Sequence, residues 1–218
     1  MTDKAIVSMG YGRQEELLRV AATTFKPYAQ RHGYTLELTT QLTDHSRPAA
    51  WSKIPLIRQM LRRYNLVVWL DADLMIVRGC NDIANALPVD RLMGMVKHTT
   101  HEGTMPNAGV WILRAGYETD ELLSNIWAQE DLINHRWWEN AAICRLLGFE
   151  LDPLGPGAPT PLLTKHTSFI DKRWNSIPDD PSRKPLIRHY PGYATRTRKL
   201  LMVRDRAEVS YRRSLGLW

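Results

Sequence analysis

Leu66-Val67-Val68-Trp69-Leu70-Asp71-Ala72-Asp73 is the stretch on which the reading of this chain turns. Five consecutive apolar residues predict a short strand buried on both faces, the kind found in parallel sheets covered by helices. The run stops at two carboxylates spaced i and i+2. In extended backbone such residues point the same way. Asp71 and Asp73 are therefore expected together at the carboxyl end of a central strand, where open α/β sheets hold their ligands. Two anions so close repel unless something cationic lies between them, and carboxylate oxygens suit Mg²⁺ and Mn²⁺. Alone, an Asp-x-Asp triplet is weak; its bland reading is a turn cap followed by a solvated Asp. Its place after a buried strand makes it a metal-ligand candidate.

Outward from that strand the pattern alternates. Residues 5–9 read as a first buried strand, broken at Tyr11-Gly12. Residues 13–31 place Leu17, Val20, Ala21 and Phe25 near a 3.6-residue period, with Gly33 as the stop signal. Residues 34–39 read as a second strand and 40–50, with Pro48, as a loop. Residues 51–64 read as an amphipathic helix with Pro55 in its first turn. Downstream, 74–77, 92–96 and 108–113 read as strands, the last two separated by a polar loop. Residues 118–129 and 137–147 read as helices, and 152–161 as a Pro/Gly loop. Short strands follow around Ser168 and at 186–189. The expectation is an α/β sandwich with a mostly parallel sheet.

The 218 residues suit one domain, set here as 1–194, with 195–218 as a basic segment inside it or peripheral to it. The net charge is +6. Seven of the basic residues and only two acidic ones fall in 195–218, so that segment carries nearly the whole excess. It reads as a solvated basic end, or as attraction to an anionic membrane surface or a phosphate-bearing substrate. Nucleic acid is excluded: Tyr193, Tyr211 and Trp218 do not interleave with the charges as stacking platforms would. Cys80 and Cys144 match no metal or disulfide spacing. With no signal-like or membrane-spanning run, the expectation is a cytoplasmic protein, peripheral at the inner membrane face if the basic segment binds lipid. The sequence is silent on oligomeric state.

Four ordered motifs add a resemblance. Residues 51–58 (WSKIPLIR), Tyr64 and Trp69-Leu70-Asp71-Ala72-Asp73 resemble the retaining glycosyltransferases related to fungal galactosyl- and mannosyltransferases and plant xyloglucan xylosyltransferases. The likeness extends more distantly to the bacterial lipopolysaccharide galactosyltransferase and glycogenin group. Asn107-Ala108-Gly109-Val110-Trp111 is similar to the family's Asn-Ala-Gly strand, Trp137-Trp138-Glu139-Asn140 to its acidic-amide pair, and His189-Tyr190-Pro191-Gly192 to its His-x-x-Gly. The resemblance implies a GT-A, Rossmann-like single domain with a mixed, mostly parallel central sheet flanked by helices. It implies a nucleoside diphosphate sugar donor (a UDP-sugar, or GDP-mannose), Mn²⁺ or alternatively Mg²⁺, and a glycan, lipid-linked or small-molecule acceptor. Asp71, Asp73 and His189 become the metal ligands, with Asp71 also facing the donor, and Asn107 contacts the donor sugar. Glu139 is placed on sugar hydroxyls and Asn140, standing where relatives have Gln, near the anomeric carbon. Arg196, Arg198 and Lys199 occupy the region of the galactosyltransferases' Lys-Pro-Trp; Arg196 and Lys199 are the cations assigned to the phosphates.

Each of these residues has an ordinary reading beside the functional one. His189 could be a satisfied structural histidine, Asn107 a turn-former, and Glu139 a favourable charge at a helix start. Tyr11 is a nucleobase-stacking candidate or a turn aromatic, and Lys53 a ribose or phosphate contact or a helix surface charge. Trp137 and Trp138 wall the acceptor site or belong to the core; Trp174 and Asn175 are candidates for lining the acceptor side. Two rival functions stand beside glycosyl transfer. One is a nucleotidyltransferase forming sugar nucleotides, against which residues 8–13 lack a phosphate-loop lysine pattern. The other is a non-catalytic sugar-nucleotide or glycan-binding module.

Overall fold

A computed structural model describes residues 3–101, 103–151 and 154–218. The first strand, β1 (Lys4–Met9), leads through a 3₁₀ turn into α1 (Glu15–His32), and β2 (Thr35–Thr39) follows. Gly33 ends α1 at φ +70°, a left-handed turn that glycine takes without steric cost. Then come α2 (Lys53–Leu61), the central strand β3 (Leu66–Leu70) and β4 (Leu74–Ile76). A long hairpin, β5 (Met93–Thr100) and β6 (Gly103–Arg114), precedes α3 (Tyr117–Trp127) and α4 (Trp138–Leu146). The chain closes with α5 (Pro161–His166), β7 (Thr167–Phe169), β8 (Ile187–His189) and α6 (Thr195–Ser214).

The main sheet has the order β2-β1-β3-β6-β5-β7. Pairing is parallel for β1 with β2 and β3 and for β5 with β7, whereas β6 runs antiparallel to both neighbours. The carboxyl ends of β1, β3 and β5 and the first half of β6 therefore share one edge. Alternate residues of β3 feed two cores. Val68 and Leu70 face α1 and α6; Val67 and Trp69 face α2, α3 and α4. This is the mostly parallel, helix-flanked α/β sandwich expected.

Three expectations change. Of residues 97–107, read as a polar loop, 97–100 continue β5 and 103–107 open β6, paired as a hairpin with a register shift between Met95 and Val96. Backbone pairing holds these polar residues in strand, and threonines such as Thr99 and Thr104 meet across it at 3.0 Å. β4 lies outside the main sheet, paired with β8, Leu74 opposite His189. Of the 152–161 loop, Asp152 and Pro153 lie outside the described residues, and Pro161 opens α5.

The basic segment forms α6, which packs on α1. Met202, Asp205 and Val209, spaced to share one helix face, are buried, and so is Trp218. Buried Asp205 accepts from Arg188 Nη1 at 2.6 Å and from the Tyr190 hydroxyl. The two residues flanking His189 are thereby tied to α6. No helix among the described residues is long and apolar enough to cross a membrane.

Candidate active site

A cleft of about 720 Å³ opens along the shared strand edge. That volume suits a small-molecule ligand. Asp71 follows β3 directly, its backbone N–H bonded to the Gly109 carbonyl of β6 at 2.9 Å. Asp73 is two residues on. His189 ends β8, which pairs with β4 immediately after the two aspartates. One ligand atom from each of Asp71, Asp73 and His189 lies within 4.8 Å of the others, a group able to hold a metal ion.

The atoms of this cluster are individually aimed. Asp71 Oδ1 accepts from Trp69 Nε1 at 2.6 Å and lies 3.1 Å from Lys53 Nζ. Its Oδ2 is left facing His189 Nε2, 3.9 Å away. His189 Nε2 is 3.3 Å from Asp73 Oδ1, and Arg198 Nη1 is 3.0 Å from Asp73 Oδ2. His189 Nδ1 stands 2.9 Å from the Asn175 side-chain oxygen. The same Asn175 donates through Nδ2 to Asn107 Oδ1 at 2.9 Å, which fixes its Oδ1 as an acceptor. Nδ1 of His189 therefore carries a proton, and Nε2 is the nitrogen aimed at the two carboxylates, the one a metal ion in the site would meet. Gly109 makes room for it: a Cβ there would fall 2.3 Å from His189 Cε1. Burial raises the Asp73 carboxyl, but His189 and Arg198 outweigh it and leave its pKa below the ordinary value.

Lys53 is not a surface charge. Its ammonium is buried on α2, 2.7 Å from Glu139 Oε1 and 3.3 Å from the Ala108 carbonyl. Burial alone would lower its pKa; Asp71 and Glu139 on either side raise it instead, so it stays charged. Burial pushes the Glu139 carboxyl up, and Lys53 offsets this only in part. Glu139 Oε2 is buried with no hydrogen-bond partner.

Among the remaining candidates, Asn107 and Tyr11 line the cleft, and Tyr11 is half-exposed. Asn140 lines it too, but its amide is engaged by β6 at both ends: Oδ1 accepts from Ala108 N at 2.9 Å, and Nδ2 donates to the Pro106 carbonyl at 3.1 Å. It braces the Asn107 strand. Arg196 and Lys199 do not reach the cleft: Arg196 is exposed, and Lys199 pairs with Glu16 of α1. Arg198 lines the cleft instead, its Nε buried and without a hydrogen-bond partner among the described residues. Trp137 and Trp138 line the cleft, the latter half-exposed. Trp174 and Asn175 are buried behind it, and Asn175 acts through His189 and Asn107. Asn175 and Arg198 are the site residues that sequence reasoning did not place in these roles.

Residues 6–93 match the model of the galactosyl transferase GMA12/MNN10 family. An uncharacterized alpha-1,2-galactosyltransferase of Schizosaccharomyces pombe is 28% identical over 113 residues, 44% of this chain. The match spans only 30% of that relative's length. Among solved structures, a glycosyltransferase that acts in glycosylation of the major capsid of PBCV-1 superposes with TM-score 0.73 at 16% identity, over 92% of this chain and 98% of that one. The galactosyltransferase LgtC, in complex with donor and acceptor sugar analogs, gives 0.61 at 11% identity, with 95% of each chain covered. The chain thus has the GT-A fold of glycosyltransferases, and residues 6–93 carry the sequence signature of the galactosyl transferase GMA12/MNN10 family.

Proposed function

We propose that the protein is a metal-dependent, retaining glycosyltransferase. It moves a sugar from a nucleoside diphosphate sugar, with a UDP-sugar favoured over GDP-mannose, to an acceptor hydroxyl on a glycan, a lipid-linked sugar or a small molecule. The observation that carries this reading is the convergence of Asp71, Asp73 and His189 at the carboxyl edge of the sheet. The donor set fits a divalent cation: two carboxylates and an imidazole lone pair, with 3.3 and 3.9 Å between His189 Nε2 and the nearest aspartate oxygens. Adjacent ligands at the usual ~2.1 Å from Mg²⁺ stand roughly 3 Å apart, and an imidazole nitrogen in the set favours Mn²⁺. When bound, the ion would supply Lewis-acid neutralisation of the departing diphosphate.

The chain's own residues do the rest. Lys53 holds Asp71 and Glu139 together, leaving one oxygen of each directed elsewhere. The bare Glu139 Oε2 accepts a hydrogen bond from a donor-sugar hydroxyl, which satisfies a buried orphan. Arg198 Nε offers a donor to a phosphate oxygen, where negative charge grows as the bond to the sugar breaks. Asn107, lining the same cleft, orients the sugar. Tyr11, at the β1 end of the cleft, stacks on the nucleobase. The alpha linkage in the fission-yeast relative's name supports retention, since UDP-sugars commonly carry an alpha-linked sugar. The exposed basic residues of α6 carry attraction to an anionic membrane surface.

The test is release of UDP or GDP from a panel of sugar nucleotides, with Mn²⁺ and with chelator, for the wild type and Asp73→Ala. Turnover that needs the ion and falls at least a hundredfold in the variant supports the reading. Full turnover in chelator, or in Asp73→Ala, overturns it.

A further inference from the structure

We infer that His98 binds a hydroxyl of the acceptor sugar, and that the β5 end of the cleft is the acceptor subsite. This rests on the glycosyltransferase reading above. His98 lines the cleft although its side chain is only 2% exposed. Its Nδ1 stands 3.3 Å from Asp180 Oδ2. An ionised carboxylate only accepts, so Nδ1 carries the proton and Nε2 of the neutral ring is a bare acceptor. Burial, helped by the nearby His189 and Lys172, holds the pKa of His98 below the ordinary value against the pull of Asp180, which favours the neutral ring. Asp180 is fixed in turn by Lys172 Nζ at 2.7 Å and by a bridge to Ile177. Nε2 is buried and has no hydrogen-bond partner among the described residues. An unpaired buried polar atom costs about 1–3 kcal/mol, and a ligand hydroxyl recovers that cost.

Sheet order decides which ligand. Across the edge the strands run β1, β3, β6, β5. Tyr11 follows β1, the metal-binding aspartates follow β3, and His98 ends two strands further, roughly 10 Å away at ~4.8 Å per strand. With the nucleoside at the β1 end and the diphosphate at the centre, the β5 end is left for the acceptor. Trp138 offers the same cleft a sugar-binding face. It is 44% exposed, lines the same cleft, and at φ +47° is the one non-glycine residue with positive φ among those described. Strain of this kind, on the order of 1–3 kcal/mol, gathers at functional positions. A half-exposed indole offers a flat apolar face to the C–H side of a sugar ring.

The experiment uses protein with ¹⁵N-labelled histidine, saturated with UDP and Mg²⁺, and follows the imidazole nitrogens by NMR. Methyl α-mannoside, methyl β-galactoside and methyl β-glucoside are added in turn. At least one should move the His98 Nε2 resonance. His98→Phe should weaken binding of that glycoside tenfold or more with UDP affinity within twofold. Asp180→Asn, which frees the tautomer without changing shape, should weaken it severalfold and covers the case in which His98→Phe does not fold. If no glycoside moves His98 in protein that binds UDP, or if both variants bind the glycoside as the wild type does, the inference is overturned. Protein that fails to bind UDP with metal at all overturns the glycosyltransferase reading itself.

Discussion

Replacing Lys53 by Met tests the electrostatic frame of the site. The ammonium is 6% exposed and Glu139 is 5% exposed, with 2.7 Å between them; Asp71 Oδ1 sits 3.1 Å away on the other side. Methionine fills most of the lysine's volume, so the principal loss is charge. Removing one partner of a buried pair leaves the other uncompensated and costs about 3–5 kcal/mol. At ~2–4 °C per kcal/mol for a chain of this size, the melting temperature should fall by roughly 6–20 °C. The loss should depend on pH. Lys53 is what pulls the Glu139 pKa down against burial, so without it that pKa rises further. A carboxyl whose pKa is higher folded than unfolded adds stability below its unfolded pKa and loses it as pH rises through the folded value. Lys53→Met should therefore approach the wild type near pH 4 and fall away as pH climbs above the ordinary glutamate range. Urea melts of the wild type, Lys53→Met and Lys53→Met/Glu139→Leu at several pH values measure this. The double variant, having no orphaned charge at Glu139, should regain more than half of the loss. A single variant within 1 kcal/mol of the wild type at every pH would refute the sandwiched ammonium.

Gly109→Ala should expel His189 from its place, since the new methyl would meet the ring at 2.3 Å; the expected result is a loss of about 1–3 kcal/mol in denaturation and at least tenfold weaker Mn²⁺ binding by calorimetry. Asp205→Leu should strand Arg188 and Tyr190 and loosen α6 from β8, lowering stability by about 3–5 kcal/mol in urea melts and exposing α6 amides to hydrogen exchange. Arg198→Ala should raise the dissociation constant of UDP, read by calorimetry, at least tenfold, whereas Arg196→Ala should change it less than twofold.

The central strand was legible because five apolar residues ending in two carboxylates leave few alternatives, and β1, α1, α2, α3 and α4 declared themselves by periodicity. The β5–β6 hairpin hid its outer half because residues 97–100 and 103–107 are held by backbone pairing, which side-chain polarity does not report. α6 hid because only Met202, Asp205 and Val209 of its twenty residues are buried, and one of these is charged. The choice of Arg198 over Arg196 and Lys199 is a matter of helical phase: Arg198 lies about 200° from Arg196 and about 100° from Lys199, so with Arg198 facing Asp73 the other two point away. His189 was legible by motif, but its tautomer depends on Asn175, fourteen residues away and brought near only by the fold. Lys53 read as a ribose or phosphate contact or an exposed helix charge, and its pairing with Glu139 and Asp71 was hidden because neither is close to it in sequence. Asn140 was read by position in a motif, whereas its amide is spent on the β6 backbone.

The shortest route to the core of this proposal is to titrate Mn²⁺ into the UDP-saturated protein and watch both calorimetric heat and melting temperature. At a hundred times its dissociation constant the ion should add about 2.7 kcal/mol, a rise of roughly 5–11 °C. That rise should vanish in Asp73→Asn and in His189→Ala while both variants remain folded. An undiminished rise in those two variants, or none in the wild type, would mean that Asp71, Asp73 and His189 do not hold a metal.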